Sequence, residues 1–145
     1  MQIERARVAD REDLFRLLRQ NQLPLDGLTD HLATTLVARE AGQVVGSAAL
    51  EVYPDGALLR SVAVAPERQG GGLGQTLTRA AIRLAEELRV PAVFLLTTTA
   101  ERFFPKFGFE PIARADVPDS VRTSVEFTSA CPTSAIVMRK RLSAE

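Results

Sequence analysis

Leu59–Leu77, LRSVAVAPERQGGGLGQTL, runs from an alternating apolar segment through Gly70, Gly71, Gly72 and Gly74 into a helical pattern. Glycine lets the backbone take positive φ and approach a ligand closely. A helix start offers unpaired N–H groups and a partial positive charge. Strand, glycine turn and helix start together suit a phosphate or pyrophosphate. The plainer reading is a turn that is glycine-rich for conformational reasons alone. A P-loop is excluded because no Lys-Ser/Thr pair follows Gly74. The dinucleotide fingerprint G-x-G-x-x-G does not fit the spacing of Gly70, Gly72 and Gly74 either.

Outward from this stretch, strand-like and helix-like segments alternate. Upstream, Gln2–Arg7 reads as a first strand, and Asp10–Gln20 as a helix with Leu14, Leu17 and Leu18 at helical intervals. Asp10 is placed to cap it, with Asp13 in box-like spacing. Thr34–Glu40, Gln43–Tyr53 and Ala57–Val64 read as strands, joined by Ala41-Gly42 and Pro54-Asp55-Gly56 turns into an antiparallel meander. Downstream, Leu77, Ala80, Ala81, Leu84, Ala85 and Leu88 form one helical face. Ala92–Thr97 is continuously apolar, as a strand buried on both faces would be. A short helix over Ala100–Phe107 ending at Gly108, a strand Phe109–Arg114, a helical turn after Pro118 and a strand Ala135–Arg141 complete the pattern. The expected class is α+β, a central mixed, mostly antiparallel sheet of about seven strands flanked by helices.

Length and composition agree with one domain over residues 1–145. A chain of 145 residues with 46% apolar and 25% charged side chains is an ordinary globular protein. Such a domain buries roughly two-thirds of its unfolded surface. The 18 basic and 18 acidic side chains cancel, so nucleic acid is not the expected partner. One cysteine, Cys131, excludes an internal disulfide and a multi-cysteine zinc site. One histidine, His31, argues against a histidine metal site or a serine–histidine triad, so no metal is expected. No run of about 18 apolar residues exists to cross a bilayer. The opening MQIERARVADRED has no signal-peptide core, which sets a cytoplasmic location as the expectation.

The sequence resembles the GNAT acetyltransferase superfamily across nearly its whole length. The family signature [Q/R]-x-x-G-x-[G/A] is found as Gln69-Gly70-Gly71-Gly72-Leu73-Gly74, led in by Val62-Ala63-Val64-Ala65-Pro66-Glu67-Arg68. A second landmark, an aromatic, three residues, then Gly-Phe, is found in Phe104-Pro105-Lys106-Phe107-Gly108-Phe109. The resemblance implies that acetyl-CoA is the co-substrate. Gln69–Gly74 would wrap its pyrophosphate, and Val62 and Val64 would offer backbone groups to its pantetheine arm. The thioester would lie near Ser61 and Val62, where an N–H could polarise the carbonyl.

The family mechanism needs a base for the acceptor ammonium and an acid for the departing thiolate. Many members place a tyrosine where this chain has Phe104, which has no proton to give. Thr98 stands where many have asparagine; Thr97, Thr98, Thr99 and Cys131 are substitute donors. The plainer reading of the threonines is a cap at the start of the helix expected over Ala100–Phe107. Glu51 is the first candidate base, because the hairpin sets it near Leu59–Ser61, and Glu126 is the second. An ion pair of Glu51 with Arg60 is the plainer alternative.

A narrower resemblance, to acetyltransferases encoded in arsenic-resistance operons, rests on residues 58–64, 95–100, 114–118 and Glu126-Phe127 with residues 131–135. It implies an acceptor that is an arsenic-related or other toxic amino acid. An oxyanion on such a substrate would be gripped in bidentate fashion by Arg60 and Arg114. Cys131 reads as a buried structural cysteine rather than an arsenic ligand. The expected activity is therefore N-acetylation of a small amine, with a homodimer as the family habit. The alternatives are a non-catalytic acyl-CoA sensor and a protein or peptide N-acetyltransferase.

Overall fold

The computed structural model describes residues 2–142, without the side chains of residues 129 and 130. Seven strands form one sheet in the order β1-β2-β3-β4-β5-β7-β6. They are β1 (Gln2–Arg5), β2 (Thr35–Glu40), β3 (Gln43–Tyr53), β4 (Gly56–Val64), β5 (Ala92–Thr97), β6 (Glu110–Ile112) and β7 (Ile136–Arg141). Every neighbouring pair is antiparallel except β4 and β5. The helices are α1 (Arg11–Gln20), α2 (Leu73–Glu87) and the single turn α3 (Asp119–Arg122). The expected mixed, mostly antiparallel class is thus observed. No helix among the described residues is long and apolar enough to cross a membrane.

The core follows from the spacing of apolar residues. Leu14, Leu17 and Leu18 of α1 are all buried, as are Leu73, Leu77, Ala81, Leu84 and Ala85 of α2. Each large aliphatic side chain fully buried contributes about 1.5–3 kcal/mol. α2 approaches β3 closely because Gly46 has no side chain: a Cβ there would lie 2.7 Å from Leu77 Cδ1. A smaller cluster on the other face joins Leu58, Ala92, Phe94, Val117, Val121 and Val137.

Several local expectations are corrected. Asp10 does not cap α1 through its side chain; the carboxylate accepts from the Arg7 N–H at 2.8 Å and from Arg39. A long-range arginine outcompetes the local helix start. The helix expected over Ala100–Phe107 is only a tight turn at Phe104–Phe107, and Pro105 has no N–H to extend a helical ladder. The Gly108 stop is present, at φ +96°. The strand expected over Phe109–Arg114 shortens to Glu110–Ile112, and the first strand ends at Arg5 rather than Arg7.

Two irregularities place the site. The β3–β4 register runs Leu50↔Leu59 and Ala49↔Arg60, then Ser47↔Ala63, so β4 carries one extra residue there. Ser61 sits in that bulge with φ +59°. Beside it, β4 pairs with β5 only at Ala57↔Val93 and Leu58↔Phe94. Past these rungs the two strands part.

Candidate active site

The parting of β4 from β5 opens a cleft of about 820 Å³. Leu59–Val64 line one side and Leu95–Phe104 the other; Asn21–Pro24, Gln69, Gly74, Glu126 and Cys131 are also among its lining residues. Ser61 O accepts from Ser47 Oγ, and the Ala65 N–H donates to Val45 O, so both face β3. Val62 and Val64, between them in the alternation, turn their main-chain groups to the cleft. The Val64 carbonyl is already occupied, accepting from Asn21 Nδ2 at 3.2 Å and Gln69 Nε2 at 3.1 Å. Of the two valines expected to meet a ligand through the backbone, Val62 is the one whose carbonyl is free to do so. Asn21 had no motif to mark it.

The glycine turn reaches the cleft through Gln69 and Gly74. Gly70 and Gly72 have φ +88° and +87°, and Gly72 is the N-cap of α2. A Cβ on either would touch nothing, so the demand for glycine there is conformational. Among the described residues, no N–H from Gly70 to Gln75 has a main-chain acceptor; the Thr76 N–H is the first, to Gly72 O. Leu73 turns its side chain into the core and leaves only its N–H to the turn. Gly71 and Gly74 complete this row of donors, as a pyrophosphate cradle requires.

The deep end holds charge. Arg60 has a fully buried side chain. Its Nε donates to Ser61 Oγ at 3.1 Å, Nη1 to Asp26 O at 2.5 Å and Glu51 Oε2 at 2.9 Å, and Nη2 to Pro24 O at 3.1 Å. A bidentate grip on a substrate oxyanion, the expected role for Arg60, is unavailable while these bonds stand. Arg114 is also displaced from its expected role. It reaches Pro132 O and Thr133 O, covers the Phe127 ring at 5.4 Å, and does not line the cleft. Exposed Arg102 does line it.

Glu51 and Glu126, the two candidate bases, differ sharply. Glu51 is 1% exposed and does not line the cleft. Burial pushes its carboxyl up, but hydrogen bonds from Ser124, Tyr53 and Arg60 outweigh that and hold it below the usual range. Tyr53 Oη donates to it at 2.6 Å. Glu126 is 4% exposed and lines the cleft. Burial pushes its carboxyl above the usual range, and the charge of Arg60 and the Cys131 thiol offset this only in part. Arg60 Nε lies 3.4 Å from Glu126 Oε2, and Cys131 Sγ donates to Oε1 at 3.4 Å. Burial and the neighbouring carboxylate push the Cys131 thiol up to about 12, so it stays protonated. A buried carboxylate with raised proton affinity, open to a cleft, has the character of a general base. The order of the two candidates is therefore reversed.

The remaining predicted residues are placed as follows. Phe104 lines the cleft, 7% exposed, edge-on to Phe103 and Phe109. Thr97 and Thr98 line it too. Thr97 Oγ1 accepts from the Ala100 N–H at 2.8 Å and the Thr99 N–H at 3.3 Å, so its lone pairs cap the turn. No cluster of three or more potential metal ligands occurs among the described residues.

Comparisons with known proteins bear on this geometry. Residues 31–111 match the family model described as Acetyltransferase (GNAT) domain. An amino-acid acetyltransferase of Mycobacterium tuberculosis is 37% identical over 81 residues, covering 55% of this chain and 46% of that protein. One of Pasteurella multocida is 32% identical over 90 residues, covering 61% of this chain and 20% of that protein. The chain thus spans less than half the length of these relatives. Two solved structures superpose well. N-acetylglutamate synthase of Neisseria gonorrhoeae, complexed with coenzyme A and N-acetyl-glutamate, gives a TM-score of 0.83 at 22% identity, covering 98% of this chain and 35% of that one. Rv2747 of Mycobacterium tuberculosis, in complex with CoA, gives 0.83 at 26% identity, covering 99% of this chain and 100% of that one.

Proposed function

The chain belongs to the GNAT acetyltransferase family, and from that premise we propose that it moves an acetyl group from acetyl-CoA to the amine of a small molecule, an amino acid foremost. The observation that carries this is one cleft lined by Gln69 and Gly74, at the turn whose N–H groups from Gly70 to Gln75 have no main-chain acceptor, and also by the buried carboxylate of Glu126. The first end fits a pyrophosphate, and the parted strands fit an extended arm beside Val62. Acetyl-CoA supplies an activated acyl carbon. The Val62 N–H faces the cleft, where it can polarise a carbonyl. Glu126 takes a proton from the acceptor ammonium, leaving a neutral amine. Phe104 does not obstruct the reaction, since a thiolate is a far better leaving group than an alkoxide and can depart before it is protonated. Amino acids are favoured as acceptors because the relatives matched are amino-acid acetyltransferases.

The finer reading, an arsenic-related or other toxic amino acid in a detoxification role, rests on the C-terminal resemblance alone. It loses its expected oxyanion ligands with Arg60 engaged and Arg114 outside the cleft. Arg102 is the cation left to that reading.

A thermal-shift titration with acetyl-CoA, CoA and ATP, followed by release of free thiol in the presence of amino acids, tests the proposal. A ligand at 100 times its Kd stabilises by about 2.7 kcal/mol, several degrees for a domain of this size. A shift with acetyl-CoA but not ATP, then amine-dependent thiol release, is expected. A shift with no turnover on any amine or peptide would favour the acyl-CoA sensor; turnover on peptides alone would favour protein acetylation.

A further inference from the structure

Arg60 is one buried cation facing two buried carboxylates, Glu51 at 2.9 Å and Glu126 at 3.4 Å. Its bonds reach separate parts of the chain: the Pro24 and Asp26 carbonyls of the loop after α1, Ser61 in the β4 bulge, and Glu51 on β3. The same loop packs on the segment that carries Glu126. A Cβ on Gly27 would lie 2.9 Å from Val125 Cγ1 and 3.6 Å from Arg60 Nη1.

We propose that Arg60 is a positioning residue and not a substrate ligand: anchored by Glu51, it ties the Pro24–Asp26 loop, the Ser61 bulge and Glu126 into one wall and sets the Glu126 carboxylate at the acceptor end of the cleft. This rests on the reading of Glu126 as the proton acceptor. The allocation of N–H groups gives the reason. Nε–H goes to Ser61 Oγ, and Glu51 takes the short bond from Nη1. Glu126 receives attraction from Arg60 without a hydrogen bond from it, so Oε2 stays available to an ammonium group. A direct guanidinium bond would stabilise the carboxylate and weaken it as a base. The groups bearing on Glu126 are Arg60 from β4, Glu51 from β3, Asp26 from the loop and Cys131 from its own segment. Tyr53 and His31 face Glu51, the one by a hydrogen bond and the other at 4.0 Å.

Carbon-13 NMR of protein labelled at glutamate carboxyls, with the Glu126 signal assigned by its loss in Glu126→Gln, reads the titration directly. In Glu51→Gln the midpoint of Glu126 should fall by about one pH unit, because a repelling charge is gone and Arg60 turns to its remaining carboxylate. In Arg60→Met it should rise by about one pH unit, because the attracting charge is gone. General loosening of the fold would lower the midpoint in both variants, towards the ordinary glutamate value of about 4.3, so the rise in Arg60→Met separates the two. An unmoved midpoint in Glu51→Gln, or a fall in Arg60→Met, overturns the proposal. Should Arg60→Met fail to fold, Glu51→Gln decides, with its CoA affinity as the check on folding. If the wild-type protein binds no CoA, the acetyltransferase reading falls while the Glu126 titration still reports on Arg60.

Discussion

Two clusters in this molecule use the same ingredients, one arginine and two carboxylates, to opposite ends. At the edge of the sheet, Arg39 gives Nη1 and Nη2 to the two oxygens of Asp10 at 2.9 and 3.0 Å, and Nε to Glu4 at 2.7 Å. Every strong donor goes to a carboxylate. At Asp10 the hydrogen bond from Arg39 outweighs burial and holds the carboxyl below its usual range; at Glu4 the same partner does so. At the cleft, Arg60 spends its donors on two main-chain carbonyls, a serine and Glu51, and Glu126 is left with proximity alone. One carboxyl is held down and the other rises. Charge count does not separate a cluster that holds both carboxyls down from one that lets a carboxyl rise. The allocation of individual N–H groups does.

That contrast can be broken experimentally, beginning with the largest effect. Glu126→Gln should cut acetyl transfer by about 10²–10⁴-fold while CoA still shifts the melting point. Asp10→Asn at the other cluster should leave turnover unchanged, and steady-state rates on both variants check the pair. Next, Arg60→Met leaves Glu51 buried without its partner and should cost about 3–5 kcal/mol of stability by urea denaturation. Asp10→Asn should cost less, about 1–3 kcal/mol, since Arg39 keeps Glu4 and some access to water. Gly72→Val forces a branched residue into left-handed backbone at about 1–2 kcal/mol. If a bound pyrophosphate requires that backbone, CoA affinity should drop about five- to thirty-fold by calorimetry.

The smallest effect is on the pH dependence of the melting point. Asp10 and Glu4 titrate lower in the folded state, so their stabilisation is complete above the usual carboxylate range and is lost as pH falls through their folded values. Glu126 titrates higher when folded, so its effect has the opposite sign. The fold is favoured below the ordinary value and loses that advantage as pH rises through the raised one. Asp10→Asn should flatten the acid limb, and Glu126→Gln should remove the loss above it.

Periodicity and turn chemistry made the sheet legible in the sequence. Gln43–Tyr53 and Ala92–Thr97 read to their ends because local pattern and tertiary role coincide there. The glycine turn was legible for the same reason: Gly70 and Gly72 require a backbone that other residues resist. What stayed hidden depended on partners distant along the chain. Asp10 looked like a helix cap until Arg39 claimed it. Glu51 ranked above Glu126 as a base because its hairpin position could be read; its ion pair with Arg60, the plainer reading, could be read too and is present, whereas Tyr53 and Ser124 closing around it could not. The β4 bulge, which aims Val62 into the cleft, left no mark beyond an ordinary Arg60-Ser61 pair.

Mechanically, the sheet is two panels sewn together by two rungs, Ala57↔Val93 and Leu58↔Phe94. Strands β1 to β4 make one panel, and β5, β7 and β6 the other. A linear ligand lying in the open seam would take the place of the missing ladder. Filling the site and stiffening the seam would then be one event. Amide hydrogens along Val62–Val64 would exchange more slowly with ligand bound, and the two panels would flex as a single plate.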